Sequence, residues 1–179
     1  MIPPRRFYLI GGPMGVGKTT AARLLAERLP RSVLLDGDWC WDMRPFQVTE
    51  ETKAMVLDNI CHLLGNFLAC SAFQSVVFCW VLHEQEILDH ILSRLDTSGW
   101  ETVPVSLVCS EAALRARLLA DGEAGRRAPG TLERSLAYLP RYAALTSPLL
   151  DTTALAPEET AAALAALPGR DYEERGYAP

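Results

Sequence analysis

The pattern of this chain predicts an α/β domain built on a mostly parallel sheet, and three observations carry that prediction. Short apolar runs alternate with amphipathic helical stretches from one end to the other. The run "SVVFCWVL" (Ser75–Leu82) is apolar throughout, as a strand covered on both faces must be. The first run, Phe7–Gly11, leads straight into a glycine-rich stretch and then a helix.

Each element has its own signal. Phe7–Gly11 is the first strand, and a helix from about Lys18 to Leu29 follows, with Ala21, Ala22, Leu24, Leu25 and Leu29 on one side. "SVLLD" (Ser32–Asp36) reads as a second strand with an acidic end. Thr49 is placed to cap a helix whose first turn holds Glu50 and Glu51, where the helix dipole favours them. Its apolar stripe is Val56, Ile60, Leu63, Leu64, Phe67 and Leu68. Ser75–Leu82 is the third strand, and Glu84–Leu95 a helix with Ile87, Leu88, Ile91, Leu92 and Leu95 inward.

Thr102–Cys109 is a fourth strand, whose beginning Pro104 places outside the ladder. Ser110 caps a helix through Leu119, and "ADGEAGRRAPG" (Ala120–Gly130) has the glycines and charges of a loop. Thr131 caps a further helix to about Leu145, kinked by Pro140. Pro148–Thr153 is a short fifth strand, and Pro157–Leu167 a last helix with proline near its first position. Residues 1–167 therefore read as a single domain, and 168–179 as a polar, flexible tail without any period.

Composition narrows the function. A chain of 179 residues, 49% hydrophobic and 22% charged, supports one sizeable core. A net charge of −5 gives no electrostatic footprint for nucleic acid. No apolar run approaches the ~20 residues that cross a bilayer, and Phe7–Ile10 is too short for the apolar region of a signal peptide. The five cysteines are scattered, with no C-x-x-C, as expected of buried thiols in a reducing compartment. The expectation is a cytoplasmic protein, monomer or homodimer, with no nucleic-acid or membrane partner.

The chemistry begins at Gly12–Thr19, G-P-M-G-V-G-K-T, a full match to G-x-x-x-x-G-K-[ST] between a strand and a helix. Glycines 12, 15 and 17 let the backbone curl so that successive N–H groups point into one concavity at a helix N-terminus. There Gly12, Pro13, Met14, Gly15, Val16, Gly17, Lys18, Thr19 and Thr20 form a cradle for nucleotide phosphates. Lys18 supplies a mobile charge near the β- and γ-phosphates, and the Thr19 hydroxyl can ligate Mg²⁺.

With "GPMGVGKT", the "LDGDW" after the second strand and the arginines of "GEAGRRAPG", the chain resembles the small P-loop kinases. That group holds nucleoside monophosphate, shikimate, gluconate and adenylylsulfate kinases and chloramphenicol phosphotransferase. The resemblance runs from about Phe7 to Leu167. It implies a P-loop NTPase three-layer sandwich, a five-stranded parallel sheet ordered 2-3-1-4-5, and a lid at about 120–130. It also implies ATP and Mg²⁺ as cofactors, and transfer of the γ-phosphoryl group to a hydroxyl of a small-molecule acceptor. A nucleotide kinase, or a nucleotide-binding regulator without turnover, are the alternative readings.

Asp36 and Asp38 follow the second strand at the edge where open α/β sheets bind ligands. An Asp-Gly turn alone would also place them there. The resemblance implies Asp36 at the Mg²⁺ with Thr19, and Asp38 as acceptor of the hydroxyl proton, although the residues themselves do not divide the two roles. Trp39 and Trp41 are candidates for an apolar wall against a ring-bearing acceptor, with Arg44 facing an anionic substituent; packing under the next helix is the other reading. Arg126 and Arg127 are the candidate lid residues that close on the transferred phosphoryl group, with Arg115 and Arg117 as alternatives and a solvated charged loop as the plain reading. His83, just past the third strand, lies near the site. Arg134 and Arg141 read as surface or salt-bridging residues.

Two other patterns fail. "HEQEILDH" lacks H-E-x-x-H spacing, and the "DTSG" of Asp96–Gly99 follows a helix and has no N-K-x-D to read guanine. The third strand ends without a carboxylate until Glu84, which counts against an AAA-type ATPase that must align a hydrolytic water.

Overall fold

The computed structural model describes residues 4–123 and 130–169. In chain order come β1 (Arg5–Gly11), α1 (Lys18–Arg28), β2 (Ser32–Asp36), α2 (Glu50–Ala69), β3 (Ser75–Cys79) and α3 (Gln85–Ser93). After them follow β4 (Trp100–Val108), α4 (Glu111–Glu123), α5 (Thr131–Tyr138), β5 (Leu149–Asp151) and α6 (Pro157–Ala166). Short 3₁₀ segments at Gly37–Trp41 and Leu139–Ala144 follow β2 and α5.

The strands make one parallel sheet in the order β2-β3-β1-β4-β5, as the resemblance implied. Strand periodicity divides the core. Phe7 and Leu9 join Val76, Phe78 and Leu35 beneath α2 and α3. Tyr8 and Ile10 join Val77, Val103, Val105 and Leu107 beneath α1, α4 and α6. Both faces are covered, so every residue of β3 is buried, and each large aliphatic there stabilises the fold by roughly 1.5–3 kcal/mol. This is the three-layer sandwich.

The helix caps follow local chemistry. Thr49 Oγ1 accepts from Thr52 N (3.1 Å) while Thr52 Oγ1 accepts from Thr49 N (2.9 Å), so two otherwise orphaned donors are satisfied at the start of α2. Ser110 Oγ accepts from Ala113 N (3.2 Å) and caps α4 as expected.

Several boundaries differ from the sequence reading. β3 stops at Cys79 rather than Leu82, because the chain turns sharply there and Leu82 adopts a positive φ of 38°. The start of β4 is inside the ladder: Pro104 pairs with Leu9 of β1. Ser106, on the same edge as Pro104, donates to Pro148, and the β4–β5 ladder begins only at Ser106. Proline therefore lacks an N–H only on the side where no strand lies opposite.

α4 continues through Ala120–Glu123, into what reads as a loop, and α5 is capped by Gly130 at φ 76° with Thr131 as its first residue. The helix predicted to run to Leu145 ends at Tyr138 and passes into the 3₁₀ segment at Pro140. Leu63, three residues beyond Ile60, falls on the flank of the α2 stripe and is exposed, while Cys61 is buried instead. The expected tail lies largely outside the described residues, which end at 169.

Candidate active site

The glycine-rich loop leaves β1 at Gly11 and enters α1 at Lys18. Gly12 has φ 147°, and a Cβ on it would lie 2.7 Å from the Leu107 carbonyl oxygen. Gly15 has φ 83°, and its Cβ would meet the Leu118 side chain at 2.4 Å. The curl therefore requires glycine twice over, by backbone conformation and by close packing against β4 and α4.

Three distant groups pin the loop from outside. Gly12 N and the Tyr142 hydroxyl both donate to Val81 O, at 3.3 and 2.5 Å. Ser135 Oγ donates to Met14 O (2.6 Å). Arg117 Nη1 donates to Val16 O (3.1 Å). Lys18 Nζ donates to Pro13 O (2.9 Å), arching over the concavity it is meant to charge.

Asp36, the last residue of β2, is buried. Its Oδ2 accepts from Thr19 Oγ1 (2.7 Å) and its Oδ1 from Asp38 N (3.0 Å). The second bond closes the turn that carries Asp38 back toward the cradle, and Asp38 lines the same cleft as Lys18 and Thr19. Cys79 lies opposite Asp36 in the β2–β3 register. Burial pushes the Cys79 thiol far above its ordinary range, with Asp36 adding to the effect, so it stays protonated.

The donors gathered at the cradle are thus a hydroxyl and carboxylates, hard oxygens that suit Mg²⁺. Thr19 and Asp36 fit such an ion by this chemistry.

The cleft over the loop has a volume of about 370 Å³ and is walled by Gly15, Lys18, Thr19, Asp38, Arg117 and Asp121, among others. A neighbouring cavity of about 250 Å³ shares Gly17, Thr20 and Arg117 with it and extends to Thr152, Leu155 and Pro157. Arg117 stands between the two. Its guanidinium donates to Thr152 Oγ1 (3.1 Å) and Thr152 O (2.7 Å) as well as to Val16 O, so it is fixed in place.

The remaining candidates separate. Trp39 is half exposed beside Asp38, whereas Trp41 packs against the core under α2 and sits 5.9 Å from the Phe46 ring. Arg44 is exposed and paired with Asp42 (3.3 Å). Arg115 is exposed and held by Glu111 on its own helix, at 2.9 Å. Arg126 and Arg127 lie outside the described residues.

His83 stacks on Tyr138 at 4.1 Å, with Nε2 3.4 Å from Glu84. Arg141 bonds the same Glu84 oxygen at 3.1 Å and lies 5.0 Å from the Tyr138 ring centroid.

Sequence reasoning missed the outer supports. Ser135 and Tyr142 reach the loop from more than 100 residues away or through Val81, and Thr152 meets Arg117 across 35 residues of chain. No local pattern in the sequence marks such partners.

Comparison with known proteins bears on the fold. No curated protein matches the chain. Among solved structures, the tunicamycin resistance protein of Deinococcus radiodurans superposes with a TM-score of 0.64 at 18% identity, covering 93% of this chain and 98% of that one. A gluconokinase from Sinorhizobium meliloti gives 0.63 at 20%, covering 92% and 94%. The Mycobacterium tuberculosis APS kinase, solved with AMPPNP and APS, gives 0.61 at 17%, covering 91% and 97%. At these identities the likeness is one of fold, that of the small P-loop kinases.

A family model described as an AAA domain matches residues 9–135. That match covers the P-loop region itself and accords with the small P-loop kinase fold of the neighbours; β3 still ends at Cys79 with no carboxylate. From the phosphate cradle to α5, the chain belongs to the AAA domain family of P-loop proteins.

Proposed function

We propose that this protein is an ATP- and Mg²⁺-dependent kinase that transfers the γ-phosphoryl group to a hydroxyl of a small molecule. One observation carries the reading: Asp36 is tied to Thr19 at the cradle while its other oxygen turns Asp38 into the same cleft. Phosphoryl transfer asks for an oriented nucleophile and cancelled charge more than for covalent help. Two carboxylates with distinct surroundings supply both.

Asp36 and Thr19 would hold the Mg²⁺ ion, which when bound would neutralise charge on the phosphates. Lys18 leaves Pro13 O and meets the β- and γ-phosphates. Asp38 accepts the proton of the acceptor hydroxyl as it attacks. Arg117, flat and tethered, forms one wall of the cavity toward Leu155 and Pro157, a shape and chemistry suited to a nucleobase. The protonated thiol of Cys79 at the end of β3 favours transfer to an acceptor over hydrolysis, because no base there activates water.

Asp38→Asn should lower acceptor-dependent ADP formation by ~10²–10⁴-fold, the usual contribution of a general base, with nucleotide affinity close to wild type. Asp36→Asn should instead raise the Mg²⁺ concentration needed for half-maximal rate. Exchange of the two phenotypes would reverse the roles, and full turnover in both variants would refute the reading.

A further inference from the structure

A backbone cradle binds phosphate through amides that point inward, and each amide is governed by the carbonyl before it. A trans peptide is flat, with the carbonyl of one residue and the N–H of the next directed oppositely across the plane. Whatever holds a carbonyl of this loop therefore also aims the following N–H. Three such carbonyls are held by side chains. Lys18 donates to Pro13 O at 2.9 Å, Ser135 to Met14 O at 2.6 Å, and Arg117 to Val16 O at 3.1 Å. On the kinase reading Lys18 leaves its carbonyl for the phosphates, whereas the other two have no such second task on the loop. Those two reach it from α5 and α4, across 121 and 101 residues of chain.

Gly15 and Gly17 follow the carbonyls held in this way, at φ 83° and 104°, and both line the cleft. Glycine permits that backbone without imposing it, because it has no side chain to choose between one orientation of the peptide and its reverse. Outside contact has to make the choice. Leu118 of α4 closes on Gly15, where a Cβ would lie 2.4 Å from it, and Ser135 fixes the carbonyl just before. Ser135 is itself unusual for its place. A serine within a helix commonly points to solvent or donates to the carbonyl one turn back. This one is fully buried and gives its proton to the loop.

We propose that Ser135 is a positioning residue for phosphate binding: by holding Met14 O it directs the Gly15 N–H into the cleft, and Arg117 does the same for the Gly17 N–H through Val16 O. The inference rests on the phosphate cradle of the kinase reading and deepens it. The glycine motif permits the inward amides, and two helices from the second half of the chain set them. Donors set beforehand need no reorganisation when the anion arrives.

The test follows both amides in nitrogen–proton correlation spectra during titration with magnesium tripolyphosphate, which brings phosphates without a base or an acceptor. In the wild-type protein both amide protons should move downfield at saturation. Ser135→Ala should shrink the Gly15 shift, keep the Gly17 shift, and weaken binding ~10-fold, the scale of one hydrogen bond to a charged group. Ser135→Thr, which keeps the hydroxyl, should restore both the shift and the affinity. Equal losses at Gly15 and Gly17 in Ser135→Ala would make Ser135 a general support of the fold and overturn the inference. A folded Ser135→Thr that behaves like the alanine variant would do the same. Should neither variant fold, the wild-type titration still decides, because a Gly15 amide unmoved at saturation overturns the inference and leaves the cradle standing. Tripolyphosphate that fails to bind the wild-type protein would remove the cradle, and the kinase reading with it.

Discussion

At the scale of single residues, the site works by giving similar groups different surroundings. Asp36 has both oxygens engaged inside the fold, whereas Asp38 reaches the cleft. His83 shows the same principle in another register: it is largely buried against Tyr138, and no partner reaches its Nδ1 among the described residues. Burial lowers its pKa below the ordinary 6.5, Arg141 lowers it further, and Glu84 opposes the shift. A histidine depressed in the fold binds a proton more readily once unfolded, so protonation favours unfolding. Its contribution is complete above about pH 6.5 and falls as the pH drops below that value toward the folded pKa. The midpoint of urea unfolding should therefore fall between pH 7.5 and pH 5, and His83→Gln should make that fall shallower. Equal slopes in the two proteins would place the pH dependence elsewhere.

At the scale of elements, the 3₁₀ turn Gly37–Trp41 sets the position of Asp38, and it docks on a loop distant in sequence. A Cβ on Gly37 would lie 2.5 Å from the Trp80 indole, whose flat ring cannot fold away as a flexible chain end can. Gly37→Ala should destabilise the protein by ~1–3 kcal/mol, the usual cost of overpacking, and should lower turnover by moving Asp38. Unfolding midpoints and kcat of the same preparation check both; an unchanged midpoint would mean that Trp80 yields freely. This contact also marks where sequence reading stops. The strands, the cradle and the caps at Thr49 and Ser110 were legible because spacing and residue type act locally there. The end of β3, the cap at Gly130 and the bond from Ser135 to Met14 were not, because each is decided by a partner far along the chain. Arg117 and Arg115 sit two residues apart on one helix, yet only contact with Thr152 and Val16 distinguishes the first from the second.

At the scale of the whole molecule, the loop is held by elements far apart in the chain: β1 and α1 carry it, α5 and the segment after it brace it, and α4 packs against Gly15. A ligand that fills the cradle therefore stabilises elements drawn from most of the chain's length, and binding should be read as global stability. For ligand at ~100 times its Kd the gain is about 2.7 kcal/mol. For a protein of this size that corresponds to a rise in Tm of roughly 5–10 °C. MgATP should produce such a rise, and ATP with a chelator a smaller one, because Thr19 and Asp36 then face the phosphates without the cation between them. Lys18→Ala removes the cradle's positive charge but no apolar contact, so its Tm without ligand should stay within a few degrees of wild type. Its MgATP-induced rise should nearly vanish. The comparison of shifts, rather than of absolute Tm values, isolates binding from folding. An undiminished shift in Lys18→Ala would show that the nucleotide is held somewhere other than Gly12–Thr20.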